Sequence, residues 1–265
     1  MHRARIAELL EPFLQGANDQ RQTTNDKLYQ DISTHIDLLL RWNARINLTA
    51  ICDPEEIVTR HFGESLFAAR HLFPKQRDWE GHDFSPEPAL SKRSAPKGAD
   101  NASEKNPASA PEGRVSANDQ RLTTNDRPAR LADLGSGAGF PGIPIKLWAP
   151  DIALTLIESN HKKAAFLREV TRALTLTDID IQNARAETLS PATFDFVTLR
   201  AVERFSSILP IAAALLASSG RLALLIASSQ LGQAHSTLPH LHWQPPIPIP
   251  QSKSRLLVVG LTEPQ

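Results

Sequence analysis

The stretch LADLGSGAGFPGIP, running from Leu131 to Pro144, decides the fold. A short apolar run, 130–134, delivers Asp133 to a turn carrying Gly135, Gly137 and Gly139. Glycines at such a turn admit positive φ and let a ligand approach the main chain. Downstream, apolar runs at 152–157, 179–182, 194–199 and 220–227 read as further strands, and helical patterns cover 160–174 and 204–217. Strands alternating with helices predict an α/β fold, a mostly parallel sheet with helices on both faces. The tail has a Pro-interrupted segment, 240–250, and then the apolar run 256–261. A terminal hairpin suits it, with the prolines on an edge or in the turn, giving seven strands in all. Open sheets of this kind bind ligands beyond the carboxyl ends of their strands.

Two cofactor classes compete for the glycine turn. Gly137, Gly139 and Gly142 match the dinucleotide signature G-x-G-x-x-G, but the offset is wrong. The dinucleotide version begins at the strand end, which would place Phe140 where its third glycine belongs. Asp133, just before the turn, favours S-adenosylmethionine instead. That cofactor carries an ammonium and a sulfonium and no pyrophosphate, so a carboxylate beside the turn suits it. Glu158 closes the second strand and is placed to accept hydrogen bonds from ribose hydroxyls in either class. A glycine turn with no ligand is the bland alternative.

Elsewhere the chain supplies a helical head and a foreign-looking insertion. Ile32, Ile36, Leu39, Leu40, Asn43 and Ile46 recur at helical spacing. A second helix is expected from Asp53, as N-cap, through Pro54 at the first position and Glu56 at the capping-box position, to a stop at Pro74. A short helix over 4–14 precedes them. Domain boundaries follow: a head at 1–73, an insertion at 74–129 and a cofactor-binding body at 130–265. The insertion is rich in Pro, Ser, Ala, Asn, Lys and Glu and poor in large apolar residues, so it reads as disordered. A polar segment also occurs twice, as ANDQRQTTND at 17–26 and ANDQRLTTND at 117–126. Near-identity without apolar periodicity points to copied DNA tolerated in surface linkers rather than to a structural repeat.

Among 265 residues, 29 basic side chains balance 29 acidic ones, so net charge advertises no nucleic acid. A single cysteine, Cys52, excludes a disulfide framework and a cysteine metal cluster, and fits a cytoplasmic setting. As a nucleophile Cys52 lacks a paired base, so a small buried residue is expected there. No run approaches the ~18 apolar residues of a membrane span, and no metal requirement is indicated.

The combination of RWNARINLTAI (41–51), DPEEIVTRHFGESL (53–66) and DLGSGAGFPGIP (133–144) resembles the bacterial glucose-inhibited division protein B family, and the likeness continues through ESNHKKAAFLREV (158–170), RAE (185–187) and FDFVTLRA (194–201). It covers nearly the whole chain outside the repeats and the insertion. The resemblance implies a Rossmann-like class I methyltransferase with an N-terminal helical extension. It implies methyl transfer from S-adenosylmethionine to N7 of a guanine in small-subunit ribosomal RNA. A monomer is expected, and the sequence leaves open whether naked RNA or the assembled 30S particle is the substrate. The cofactor-binding set is then Asp133, Gly135, Gly137, Phe140, Glu158, Ala186, Glu187 and Arg200. Arg200 also takes the family's basic position near methyl transfer, where it would position the substrate. The long insertion departs from the family, in which a short linker joins head to body.

N7 of guanine has a lone pair and no proton, so its attack needs no general base, and alignment supplies the catalysis. Candidate RNA contacts are Arg41, Arg45, Arg60, His61 and Arg70 on the head, with Lys162, Lys163 and Arg168 on the body. His61 shares a face with Ile57 and Leu66 and equally suits a hydrogen-bonded core position. Trp42 reads as core, and Asn47 as a cap or turn residue. The competing functions are a methyltransferase of another RNA or a small molecule, a nicotinamide oxidoreductase, and a non-catalytic RNA-binding module. No hydride-transfer site or substrate domain supports the second, and the intact acids and glycines argue against the third.

Overall fold

A computed structural model describes residues 1–15, 22–74, 127–201 and 204–263, with the side chains of 22–25 excepted. Contacts divide the chain into two units, Met1–Glu80 with Pro128–Gln265, and Gly81–Arg127, of which only Arg127 is described. The expected insertion, apart from its ends, and the second repeat copy therefore lie outside the described residues. So do residues 17–21 of the first copy. Its remainder opens a helix.

The head is built from α1 (Arg3–Leu14), α2 (Gln22–Asn43) and one long helix, Pro54–Leu72. That helix starts as α3 (Pro54–Glu56), widens to a π-helical segment (Ile57–Gly63) and ends as α4 (Glu64–Leu72). Asp53 caps it as expected, its carboxylate accepting from the Glu56 N–H at 2.8 Å. The Glu56 side chain does not close a capping box but turns toward Arg60, 3.6 Å away. Between α2 and α3, Asn43 rather than Asn47 organises the turn. Its Oδ1 accepts from the N–H groups of Leu48 and Thr49, and its Nδ2 donates to the Thr49 carbonyl. Cys52 corrects the expectation of burial: it is exposed, because the turn feeding the Asp53 cap runs over the surface.

The body is a single sheet in the order β3-β2-β1-β4-β5-β8-β6. Strands β1 (Arg130–Leu134), β2 (Ala153–Ile157), β3 (Ile179–Gln182), β4 (Phe194–Arg200) and β5 (Leu216–Ala227) are parallel. β8 (Arg255–Leu261) runs antiparallel to β5. The sheet holds eight strands where seven are expected, because the Pro-interrupted tail pairs with β8 in two separate pieces, β6 (His242–Trp243) and β7 (Ile247–Pro248). Pro245 and Pro246 lie between them; a proline has no N–H to give a ladder. β5 also begins four residues before the expected position 220. Leu216 pairs with Phe194, and a register irregularity then lets the strand resume at Arg221.

Helices α5 (Gly142–Trp148) and α6 (His161–Ala173) cover one face with the head, and α7 (Phe205–Ala214) and α8 (Leu231–Thr237) cover the other. The strands alternate accordingly. In β8, Leu257 and Val259 join the first core and Val258 the second. The first core runs without a break from Ile6, Phe13 and Ile36 of the head to Ile143, Phe166 and Val170 of the body. The head is thus a cover for the sheet rather than an appendage. Polar ties reinforce the seam: Trp148 Nε1 donates to the Phe73 carbonyl at 3.0 Å, and Trp42 Nε1 to Glu169 at 2.9 Å.

Candidate active site

Strand order reverses between β1 and β4, so the crevice beyond their carboxyl ends is open to a ligand. The glycine loop 135–141 lies there. Gly135, Gly137 and Gly139 all have positive φ, of 69°, 54° and 89°. A Cβ at Gly139 would also stand 2.5 Å from Ile143 Cδ1, so that side chain would have to shift to admit it.

Two carboxylates brace this loop. Asp133 is wholly buried beneath it. Its Oδ2 accepts from the Gly142 N–H at 3.1 Å and its Oδ1 from the Thr198 hydroxyl at 3.0 Å. Gly142 permits that approach, because a Cβ would sit 2.9 Å from the same Oδ2. Burial pushes the Asp133 carboxyl up to about 6, against the pull of its donors, Thr198 first. Glu158 follows β2 and holds the other side: Oε2 accepts from the Gly137 N–H at 3.0 Å and Oε1 from the Asn160 N–H at 2.7 Å. Asn183 donates to the carbonyls of Glu158 and Ser159 and so ties the end of β3 to the end of β2. Ala186 and Glu187 occupy the single 3-10 turn after β3, the first buried and the second exposed.

The head reaches the loop through aromatic rings. Phe140 points into the core, where both His35 and His61 stack on it, with centroids 5.1 Å and 4.8 Å away. Contact between Phe140 and a cofactor must therefore use its backbone. His35 Nε2 lies 3.0 Å from the Ala138 carbonyl. Burial pushes His35 down to about 4, and burial with the nearby Arg200 and Arg60 charges pushes His61 down to about 3. Both rings are neutral at ordinary pH. His61 is thus a core residue, bonded to the Thr49 hydroxyl at 2.8 Å.

Arg200 ends β4, where Ala201 turns the chain with φ 50°. Its guanidinium is largely buried. It donates to Glu64 at 3.2 and 3.3 Å and to the Arg60 carbonyl at 2.7 Å. Burial lowers its pKa from the ordinary arginine value, and Glu64 opposes that shift. Glu64 is 1% exposed and also binds Arg60 and Arg255. Neither Glu64 nor Arg255 is among the sequence-predicted site residues. The detectable signal was an acid on an otherwise apolar helix face, four residues after Arg60.

The structure gathers Asp133, Gly135, Gly137, Phe140 and Glu158 at one loop, and ties Arg200 to the head beside it. The other basic candidates are dispersed: Arg41, Arg45, Lys162 and Arg168 are exposed, Lys163 is half-buried, and Arg70 donates to the Gln15 carbonyl. Among the described residues no cluster of three His, Cys, Asp or Glu side chains could hold a metal, and no helix is long and apolar enough to cross a membrane.

The family model "GidB: rRNA small subunit methyltransferase G" matches residues 116–240. A relative from Xylella fastidiosa named ribosomal RNA small subunit methyltransferase G is 33% identical over 199 residues, 74% of this chain and 68% of the relative. One of the same name from Xanthomonas campestris is 31% identical over 77% of this chain and 71% of its own length. A third, from Roseiflexus castenholzii, is 34% identical, but the match spans only about half of it, 53%. At these identities and coverages the chain belongs to the GidB family, the family of rRNA small subunit methyltransferase G.

Proposed function

We propose that this chain transfers a methyl group from S-adenosylmethionine to N7 of a guanine in small-subunit ribosomal RNA, acting in the cytoplasm as a monomer. The observation that carries the reading is the glycine loop at the strand-order reversal, fixed from both sides by Asp133 and Glu158. Family membership narrows the chemistry to methyl transfer and the substrate to small-subunit rRNA.

The site fits the cofactor. Backbone at positive φ leaves open space over Gly137, where a Cβ would meet nothing nearer than the Gly135 carbonyl at 3.7 Å. Gly135, Gly137 and the Phe140 backbone would hold the amino-acid part. Glu158 would take the ribose hydroxyls with the lone pairs its backbone donors leave free, and Ala186 and Glu187 would border the base. The buried negative charge of Asp133 favours a cationic ligand above it. When bound, S-adenosylmethionine supplies an electrophilic methyl on a sulfonium. The protein's part is alignment, because the guanine nitrogen carries no proton to remove. Glu64 and the Arg60 carbonyl fix the Arg200 guanidinium at the edge of the crevice. From there it positions the guanine through O6 or a neighbouring phosphate, leaving N7 free to react. The base reaches such a site from a loop or an unstacked position.

Small-subunit rRNA from cells with and without the protein tests this. Reduction and aniline cleavage locate N7-methylguanine. The expected result is a cleavage site lost in the deletion strain and restored by the wild type but not by Arg200→Ala, with rRNA and intact 30S particles compared as substrates in vitro. An unchanged cleavage pattern refutes the substrate. Arg200→Ala should reduce transfer far more than cofactor binding; equal losses refute its positioning role.

A further inference from the structure

Most of the glycine loop's own donors are already spent. Gly135 and Ser136 donate to the Ile157 carbonyl, Gly137 to Glu158, and Gly139 and Phe140 to the Ser136 carbonyl. Within this run, and among the described residues, the Ala138 N–H alone has no partner. It adjoins Gly137, over which the space is open. A backbone donor left unmet in an otherwise satisfied loop is one that a ligand's acceptor can take.

The loop by itself holds that donor weakly. Ala138 stands between Gly137 and Gly139, both at positive φ, and glycine restrains its neighbours' peptides least of all residues. The restraint comes from the head. His35 of α2, 103 positions away in sequence, donates its Nε2–H to the Ala138 carbonyl at 3.0 Å. A carbonyl has no hydrogen to offer, so this nitrogen carries the proton of the neutral ring. The ring is itself held in place: Phe140 stacks on it at an interplanar angle of 1°, and Phe62 meets it edge-on at 5.3 Å. This arrangement carries a cost that packing does not explain. His35 is wholly buried, and its Nδ1 has no hydrogen-bond partner. An aliphatic side chain would fill the same space among Phe62, Phe140 and Phe166 with no nitrogen left unmet.

We propose that His35 is a positioning residue for S-adenosylmethionine: it fixes the backbone at Ala138 so that the loop's one free N–H, beside Gly137, is presented to the amino-acid part of the cofactor. The assignment rests on the cofactor reading above. His35 is too buried to meet the cofactor and acts through the loop, so cofactor affinity depends on a side chain of the head.

Calorimetry on the full-length wild type, His35→Leu, His35→Gln and His35→Asn tests this, with S-adenosylmethionine and adenosine as ligands and urea unfolding alongside. A glutamine amide reaches about as far from the backbone as Nε2 does, whereas an asparagine amide stops at about the position of Nδ1. His35→Leu and His35→Asn should bind S-adenosylmethionine about tenfold more weakly, and His35→Gln within about threefold of wild type, as the loss and the keeping of one hydrogen bond require. Adenosine lacks the amino-acid part, and its affinity should stay unchanged in all three. If His35→Leu fails to fold, the contrast between His35→Gln and His35→Asn carries the test. Equal S-adenosylmethionine affinities of those two variants overturn the assignment, because packing rather than the bond then governs the loop. Wild-type affinity in a folded His35→Leu overturns it too, as does a loss of adenosine affinity as large as that of S-adenosylmethionine, which would make His35 a general support of the crevice. A wild type that binds no S-adenosylmethionine refutes instead the cofactor reading beneath it.

Discussion

Replacing Asp133 by Asn should make the protein more stable at neutral pH and a poorer binder of its cofactor. The carboxyl is wholly buried and sits at about 6 rather than 3.8. At 1.36 kcal/mol for each pH unit of displacement, keeping it ionised in the fold costs about 3 kcal/mol. The direction follows from proton linkage. Between the two pKa values the folded state binds the extra proton, so stability is full below about pH 4 and falls by up to about 1.4 kcal/mol per pH unit until about pH 6. Asparagine removes the charge and can keep both bonds. Its Oδ1 accepts from the Gly142 N–H, and its Nδ2 donates to the Thr198 oxygen, whose proton turns fully to the Ala132 carbonyl, already 3.3 Å away. Allowing about 1 kcal/mol for the rearranged bonds, the variant should gain about 2 kcal/mol near pH 7.5 and lose that advantage near pH 4.

Urea unfolding of both proteins across this range measures the difference directly. The difference matters because His35 and His61 act with the opposite sign: their folded pKa values lie below the free value, so the stability they contribute is present above about pH 6.5 and is lost on acidification. Both proteins share that acid lability, and it cancels. Calorimetry with S-adenosylmethionine should show weaker binding by the variant, since on the proposed reading the charge kept at such cost lies beneath the glycine loop and favours a cationic ligand above it. Parallel stability curves at all pH values would refute the reasoning, as would a variant whose deficit grows with pH.

Three further outcomes follow from particular contacts. His35→Leu removes a buried imidazole that must stay neutral; relative to wild type it should gain about 2 kcal/mol on going from about pH 8 to about pH 5, and pH-independent urea midpoint differences would disprove this. Glu64→Gln strips the shared counter-charge from Arg60, Arg200 and Arg255 and should cost about 3–5 kcal/mol; a thermal midpoint lowered by less than about 2 °C would show that the carboxylate is dispensable. Gly63→Ala places a methyl 2.7 Å from the Phe13 ring and should cost about 1–3 kcal/mol, recovered in part by Phe13→Leu; additive rather than compensating double-mutant energies would mean that the ring is not what the methyl meets.

The parts legible in the sequence are those whose physics is local. The strand–glycine–helix passage at 130–148 announces itself because positive φ and close approach need residues of one kind at fixed spacing, and Asp53-Pro54 marks a helix start by capping alone. The eighth strand was not legible. His242–Trp243 and Ile247–Pro248 are too short to show a period, and only pairing with β8 makes them strands. Cys52 was misjudged because residue preference speaks for burial while the surface path of a turn is set by the cap that follows it. The same distinction governs the site. Asp133 and Glu158 could be named from position, but not their bonding: the sequence does not reveal that Glu158 accepts from the Gly137 N–H of the loop and Asp133 from the Gly142 N–H that opens α5. Glu64 and Arg255 lie 191 positions apart and meet only because the head covers the end of β5 and β8. A single acid in an apolar stripe costs several kcal/mol to bury unpaired. Glu64 was therefore a demand for distant cations written into the head, and the arginines that end β4 and open β8 are its answer. The head is thereby part of the setting of Arg200: the carboxylate that fixes this guanidinium comes from α4 and not from the sheet that carries Arg200.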